Sequence, residues 1–89
     1  MKVLKFGAAW CAGCLVMRPI WQEIAQAWPD LKTVYYDYDE SQDEVREYKV
    51  NEKLPTFIFL AQDGHELLRR EGEVSKAKLL KIIEENKDK

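Results

Sequence analysis

The sequence predicts an α/β fold in which helices flank a four-stranded mixed sheet, with the element order β-α-β-α-β-β-α. Short segments rich in β-branched and aromatic residues alternate with segments whose apolar residues recur at helical spacing. The first two strands, joined through a helix, are expected to be parallel, and an Asp-Gly pair between the last two predicts an antiparallel hairpin. The 89 residues are enough for one hydrophobic core, so we expect a single domain over residues 1–89.

The first half of the chain contains two predicted strands and the longest predicted helix. Residues 3–7, VLKFG, and residues 32–38, KTVYYDY, have the composition of short strands. Between them, residues 11–28 carry apolar side chains that recur with the period of a helix, at Met17, Ile20, Trp21, Ile24 and Trp28. These side chains would form one face of a helix that Pro29 ends.

A short helix and a third strand follow. Ser41 and Glu44 have the spacing of a capping box, which predicts a helix from there to about Lys49. Residues 56–61, TFIFLA, form an apolar segment of strand length. We therefore expect this segment to be the third strand.

The last elements are a hairpin strand and a helix. The turn Asp63-Gly64 leads to a predicted strand over residues 66–70, which Gly72 ends. Ser75 is a favourable N-cap for a final helix, whose apolar residues would face the sheet: Leu79, Leu80, Ile82 and Ile83.

Charge and hydropathy argue against several classes of partner. The net charge is −2, and the 14 basic and 16 acidic residues are mixed along the chain, which gives little support to a nucleic-acid or anionic-membrane partner. No apolar segment approaches the roughly 18 residues of a membrane span. Lys5 interrupts the apolar N-terminal segment, which is shorter than the core of a signal peptide. We expect a complete, cytoplasmic and monomeric chain.

The two cysteines, Cys11 and Cys14, are the main candidates for chemistry. A cytoplasmic location argues against a structural disulfide, so the pair should bind metal, undergo redox chemistry or be incidental. A closed zinc site needs four ligands, and the only histidine, His65, follows the hairpin turn, where a solvated side chain is common. A zinc site and any other bound cofactor are therefore not expected.

Redox chemistry accounts for the spacing of the pair. Cys11 is placed at the start of the predicted helix, where free backbone N–H groups and the helix dipole favour a thiolate. Cys14 lies one helical turn later on the same side, so it could attack a mixed disulfide on Cys11 intramolecularly. The spacing therefore suggests that Cys11 attacks and Cys14 resolves.

Several motifs together resemble the thioredoxin family over nearly the whole chain. They are Trp-Cys-Ala-Gly-Cys at residues 10–14, Pro19, the segment YYDYDES at residues 35–41, Leu54-Pro55-Thr56 before a strand, Gly64 and Gly72. A lone C-x-x-C pair is only moderately specific, but its combination with these motifs and this element order is strong. The resemblance implies a thioredoxin-like fold that lacks the family's usual first strand and helix.

The resemblance also implies the activity and the roles of the site residues. The chain would be a protein-disulfide oxidoreductase that uses a redox-active Cys11–Cys14 disulfide, with Cys11 as nucleophile and Cys14 as the buried resolving thiol. A rim would bind the substrate polypeptide: Trp10, Leu54, Pro55 and Gly72. The Leu54–Pro55 peptide would be cis. The partners would be disulfide-containing proteins and an electron donor similar to thioredoxin reductase.

Departures from the family pattern leave alternatives open. Ala-Gly replaces the usual Gly-Pro between the cysteines, which leaves the redox potential open. The shortened outline is also similar to glutaredoxins, although their signatures are absent, so a glutathione-dependent reductase is the second hypothesis. A Cu(I) chaperone holding the metal between two thiolates is the third. Lys5 occupies the position at which many thioredoxins have a buried carboxylate. Its ammonium would either modulate the pKa of Cys14 or reach solvent.

Overall fold

The computed structural model describes all 89 residues as four strands and three helices. In chain order they are β1 (Lys2–Gly7), α1 (Ala12–Ala27), β2 (Lys32–Asp37), α2 (Gln42–Glu47), β3 (Thr56–Leu60), β4 (Glu66–Glu71) and α3 (Lys76–Asn86). The order and type of the elements confirm the prediction, and their boundaries differ from it by only one or two residues. None of the helices combines the length and the hydropathy that crossing a bilayer requires.

The strands form one mixed sheet in the order β2-β1-β3-β4. Strand β1 is parallel to β2 and antiparallel to β3, so that Lys5 lies opposite Tyr35 on one side and Phe57 on the other. Strands β3 and β4 form the expected antiparallel hairpin, with an irregularity in register at Phe59 and Leu60. The two central strands are therefore β1 and β3, and β2 is an edge.

Alternation along β1 and β3 divides the core between the two faces of the sheet. The face covered by α1 and α3 buries one cluster, which includes Val3, Met17, Trp21, Ile24, Phe57, Phe59, Leu79, Ile82 and Ile83. The other face buries Leu4, Phe6, Val50, Ile58 and Leu60, against which α2 and its flanking residues pack. Because successive strand residues point to opposite faces, Lys5 shares the α1 face with Val3. A lysine therefore stands at an interior strand position of this face.

One of the two predicted helix caps forms, and the other does not. Ser75 Oγ accepts a hydrogen bond of 3.2 Å from the backbone N–H of Lys78, as expected for the start of α3. The predicted capping box at Ser41 is wrong, because its side chain makes no capping hydrogen bond. Instead, Asp37 Oδ1 accepts hydrogen bonds from the backbone N–H groups of Asp39 and Glu40. This Asx-type turn directs the chain into α2 without the serine hydroxyl.

Candidate active site

The two cysteines lie at the start of α1, shortly after β1, and are joined by a disulfide with their Cα atoms 5.3 Å apart. Cys11 is the N-cap of the helix and has extended backbone angles. Its sulfur accepts a hydrogen bond of 3.2 Å from the backbone N–H of Cys14. In the reduced chain, this N–H and the positive end of the helix dipole would favour a thiolate on Cys11.

The relative burial of the two cysteines differs from the sequence expectation. Cys11 is only 6% exposed, whereas Cys14, expected to be the buried thiol, is partly exposed. Cys14 lines a cavity of about 570 Å³ between α1 and strands β1 and β2, and Cys11 does not. The physical reason is that α1 leaves the edge strand uncovered, since Thr33 and Tyr35 are exposed. The expectation that Cys14 is the more shielded residue is therefore wrong for the oxidised chain.

The loop before β3 lies directly against the start of α1. The Leu54–Pro55 peptide is cis, which confirms the prediction, and Pro55 is buried. A Cβ on Gly13 would lie 3.1 Å from Cδ of Pro55, so the missing side chain permits this close approach. Gly72, at φ +85°, donates its N–H to the carbonyl of Pro55 at 2.7 Å. Pro55 is thus held between the cysteine turn and the residue that follows β4.

Strand register explains why these distant segments meet. Phe6 pairs with Thr56, and Thr56 pairs with Glu71, across antiparallel strands. The end of β1, the start of β3 and the end of β4 therefore lie side by side, at the same end of the strands. Each of these strand ends is next to a predicted site residue: Cys11 after β1, Pro55 before β3 and Gly72 after β4.

Trp10 forms an exposed side of this site. Its side chain is 57% exposed, and its indole N–H donates a 2.9 Å hydrogen bond to Asp39 Oδ2. Its ring also lies edge-on to Tyr38, with 6.2 Å between centroids. The sequence does not predict that Asp39 or Tyr38 holds this tryptophan. Its only signal is the Tyr-Asp-rich segment at the end of β2 and just after it. Leu54, also predicted for the rim, is partly buried and packs towards the α2 face.

Lys5 and Tyr35 lie behind the cysteine pair. Lys5 is half-buried, burial lowers the pKa of its ammonium, and Nζ lies 5.5 Å from the ring centroid of Trp21. Tyr35 is 55% exposed, so it is far more open to solvent than a core aromatic residue. A Cβ on Gly7 would lie 3.0 Å from Cys14 Sγ and 3.1 Å from the Tyr35 hydroxyl oxygen. Desolvation raises the pKa of the Tyr35 phenol, and the nearby Asp37 charge adds to this shift.

The possible metal ligands are dispersed through the fold. No three or more histidine, cysteine, aspartate or glutamate side chains are grouped so that they could hold a metal ion. His65 lies in the exposed hairpin turn beside Asp63, and its backbone carbonyl accepts a hydrogen bond from the N–H of Ala61. The candidate site therefore consists of the cysteine pair and the side chains packed around it, and His65 is not part of it.

A match to a known protein family classifies the chain. The family model of thioredoxin matches residues 1–85. The chain belongs to the thioredoxin family. A thioredoxin from Mycoplasmoides gallisepticum is 35% identical over 81 residues, which cover 91% of this chain and 79% of the relative. Mitochondrial thioredoxin-3 from Saccharomyces cerevisiae is 42% identical over 62 residues, or 70% of this chain and 47% of the relative.

Solved structures of thioredoxins share the fold. The crystal structure of a thioredoxin from Nicotiana alata superposes with a TM-score of 0.86 at 33% identity, covering 96% of this chain and 71% of that structure. Oxidised mitochondrial thioredoxin 3 from Saccharomyces cerevisiae gives a TM-score of 0.82 at 34% identity, covering 94% of this chain and 76% of that structure. The matches of the first curated relatives span about half of those proteins' length, namely 47% and 51%.

Proposed function

We propose that this chain is a thiol–disulfide oxidoreductase that reduces disulfide bonds in other proteins. The observation that carries the proposal is the Cys11–Cys14 disulfide at the start of α1, against which Pro55 packs. Membership of the thioredoxin family supports the same activity. The chemistry needs no bound cofactor, because the two cysteines store both electrons as thiols.

In the first step, the Cys11 thiolate attacks one sulfur of a substrate disulfide. A bond forms between Cys11 Sγ and that sulfur, the substrate disulfide breaks, and the other substrate sulfur leaves as a thiolate. We assign the attack to Cys11 because its sulfur is the N-cap acceptor for the N–H of Cys14. A hydrogen bond to an anionic sulfur is stronger than one to a thiol, so this arrangement favours the thiolate.

In the second step, Cys14 loses its proton and attacks Cys11 Sγ in the mixed disulfide. The Cys11–Cys14 bond forms and the second substrate sulfur leaves as a thiolate, so that two electrons have passed to the substrate. Because Cys14 lines the open cavity behind α1, its proton can pass to water on that side. Both sulfurs belong to the first turn of α1, so this attack is intramolecular and therefore fast.

The substrate polypeptide would lie along the rim formed by Trp10, Leu54, Pro55 and Gly72. Trp10 offers exposed aromatic area, which Asp39 holds in place through the indole N–H. The backbone N–H of Leu54 already donates to the carbonyl of Glu52 at 2.9 Å. We therefore expect the Leu54 carbonyl to accept the first hydrogen bond from an extended substrate strand.

We further propose a reducing location such as the cytoplasm, a monomeric state, and an electron donor similar to thioredoxin reductase. Mitochondrial and chloroplastic thioredoxins are among the relatives, so fractionation of the source cells tests the location. The glutathione-dependent alternative has less support, because the family match is to thioredoxin.

Single cysteine variants test the function and the two roles together. Wild-type protein should accelerate insulin reduction by dithiothreitol, and each variant should lose this acceleration. Cys14→Ser should accumulate a mixed disulfide with insulin chains, because no thiol remains to release it, whereas Cys11→Ser should trap none. Lack of activity in wild-type protein would refute the oxidoreductase proposal, and preferential trapping by Cys11→Ser would reverse the two roles.

A further inference from the structure

The cavity behind Cys14 has the size and lining of a small-molecule site. Its volume is about 570 Å³, and ten of its 17 lining residues are hydrophobic. The walls include Met17 and Trp21 from α1 and Phe57 from β3. Ligand pockets typically have volumes of roughly 300–1,000 Å³, mostly apolar walls and a few polar groups that fix the ligand. This cavity therefore meets the steric requirement for a ligand.

Two donor groups of the cavity residues have no acceptor in the protein. The five ion pairs of the chain do not include Lys5, whose ammonium instead lies over the ring of Trp21. The indole N–H of Trp21 is buried and makes no hydrogen bond. The indole nitrogen has almost no exposed surface, so the Lys5 ammonium is the donor that an acceptor group of a ligand in the cavity would meet.

The charges around the cavity favour an anion. Lys5 and Arg18 contribute positive charge, and Asp37 is the only acidic residue in the lining. The Asp37 carboxylate is already engaged, because Oδ1 accepts hydrogen bonds from two backbone N–H groups of the following turn. The lysine, in contrast, stands at an interior strand position beside apolar walls. An anionic group on the ligand would thus find an uncompensated cation in a partly desolvated site.

We propose that this cavity binds a small amphipathic carboxylate, with its carboxylate on Lys5 and its apolar body along Met17, Tyr35 and Phe57. A strand from a second copy of the chain is less suitable, because backbone pairing with β2 supplies no acceptor to Lys5. Asp37 and Asp39 also place negative charge beside that edge. This proposal does not rest on the thiol chemistry, although an occupied cavity would cover Cys14 and separate its thiol from water on this side.

Two probes of matched shape test the charge requirement: 4-phenylbutanoate and its neutral analogue 4-phenylbutanamide. Calorimetry should show that the carboxylate binds at least tenfold more tightly than the amide. In ¹⁵N-labelled protein, titration with the carboxylate should shift the indole N–H resonance of Trp21 and leave that of Trp28 unchanged. In reduced Cys11→Ser protein, the carboxylate should slow alkylation of Cys14 at saturation.

Three lysine variants test the role of Lys5, one of them as a control. Lys5→Met should weaken carboxylate binding at least tenfold without changing amide binding, whereas Lys5→Arg should retain most of the affinity. Lys81→Met, which removes an exposed charge on α3, should behave as wild-type protein. The proposal is overturned if the two probes bind equally, if neither binds, or if Lys5→Met matches Lys81→Met. Concentration-dependent dimerisation that shifts the same Trp21 resonance would also overturn it, in favour of a second copy.

Discussion

Gly7 offers a way to change the redox potential without touching either cysteine. A Cβ added there would lie 3.0 Å from Cys14 Sγ and 3.1 Å from the ring and hydroxyl of Tyr35. Tyr35 is exposed and can move away, whereas Cys14 Sγ in the oxidised chain is held by its bond to Cys11. In the reduced chain, the Cys14 side chain can rotate. Gly7→Ala should therefore destabilise the oxidised form more than the reduced form.

The magnitude follows from the cost of overpacking. Inserting a methyl group into a packed site costs about 1–3 kcal/mol when its neighbours cannot move. If this cost falls on the oxidised form alone, the disulfide becomes easier to reduce. Because about 1.4 kcal/mol corresponds to about 30 mV for a two-electron couple, the potential of Gly7→Ala should rise by roughly 20–60 mV.

Equilibration in glutathione redox buffers, followed by alkylation and quantification of free thiols, measures this shift. Thermal unfolding of both redox forms gives an independent value for the same difference. Gly64→Ala is the matched control: Gly64 has φ +94°, but no atom lies within 4 Å of its added Cβ. The control should lose about 1–2 kcal/mol of stability in both forms and keep the wild-type potential. An unchanged or more negative potential in Gly7→Ala, or an equal rise in Gly64→Ala, would refute the reasoning.

Two further predictions concern stability. Ser75→Ala removes the oxygen that accepts the N–H of Lys78, and chemical denaturation should show a loss of about 1 kcal/mol, whereas Ser41→Ala, where no cap is made, should lose far less. Burial lowers the pKa of Lys5, so the folded state holds its proton less tightly than the unfolded state does. The stability of wild-type protein relative to Lys5→Met should consequently increase as the pH rises through the range just below 10.5. A difference that is flat or falls over that range would contradict the assigned burial of the ammonium.

The elements and much of the site were predictable because their signals are local. Helical spacing identified the buried face of α1, with Met17, Trp21 and Ile24. The Asp-Gly turn identified the β3–β4 hairpin, and Ser75 identified the start of α3. The spacing of the cysteines and the resemblance to thioredoxins together identified the site residues, which lie near the same end of the strands.

The errors arose where distant groups decide the outcome. Ser41 matched a capping box, but Asp37 supplies the turn's hydrogen bonds instead. The exposure of Cys14 depends on how much of the edge strand α1 covers, which spacing within the helix cannot show. The hydrogen bond from Trp10 to Asp39 joins two loops 29 residues apart, and no local pattern encodes it.

The hairpin between β3 and β4 lies at the end of the sheet remote from the cysteines. Strand β3 starts beside Pro55 and ends five residues later, which places the turn at about 16 Å along the strand from the site. Residues 62–65 are exposed, and no atom lies within 4 Å of a Cβ added at Gly64. A fluorophore, an affinity tag or an inserted peptide at this turn would thus leave the redox centre unobstructed. The molecule has a natural attachment point for immobilisation on an electrode or a bead with its reactive edge facing outwards.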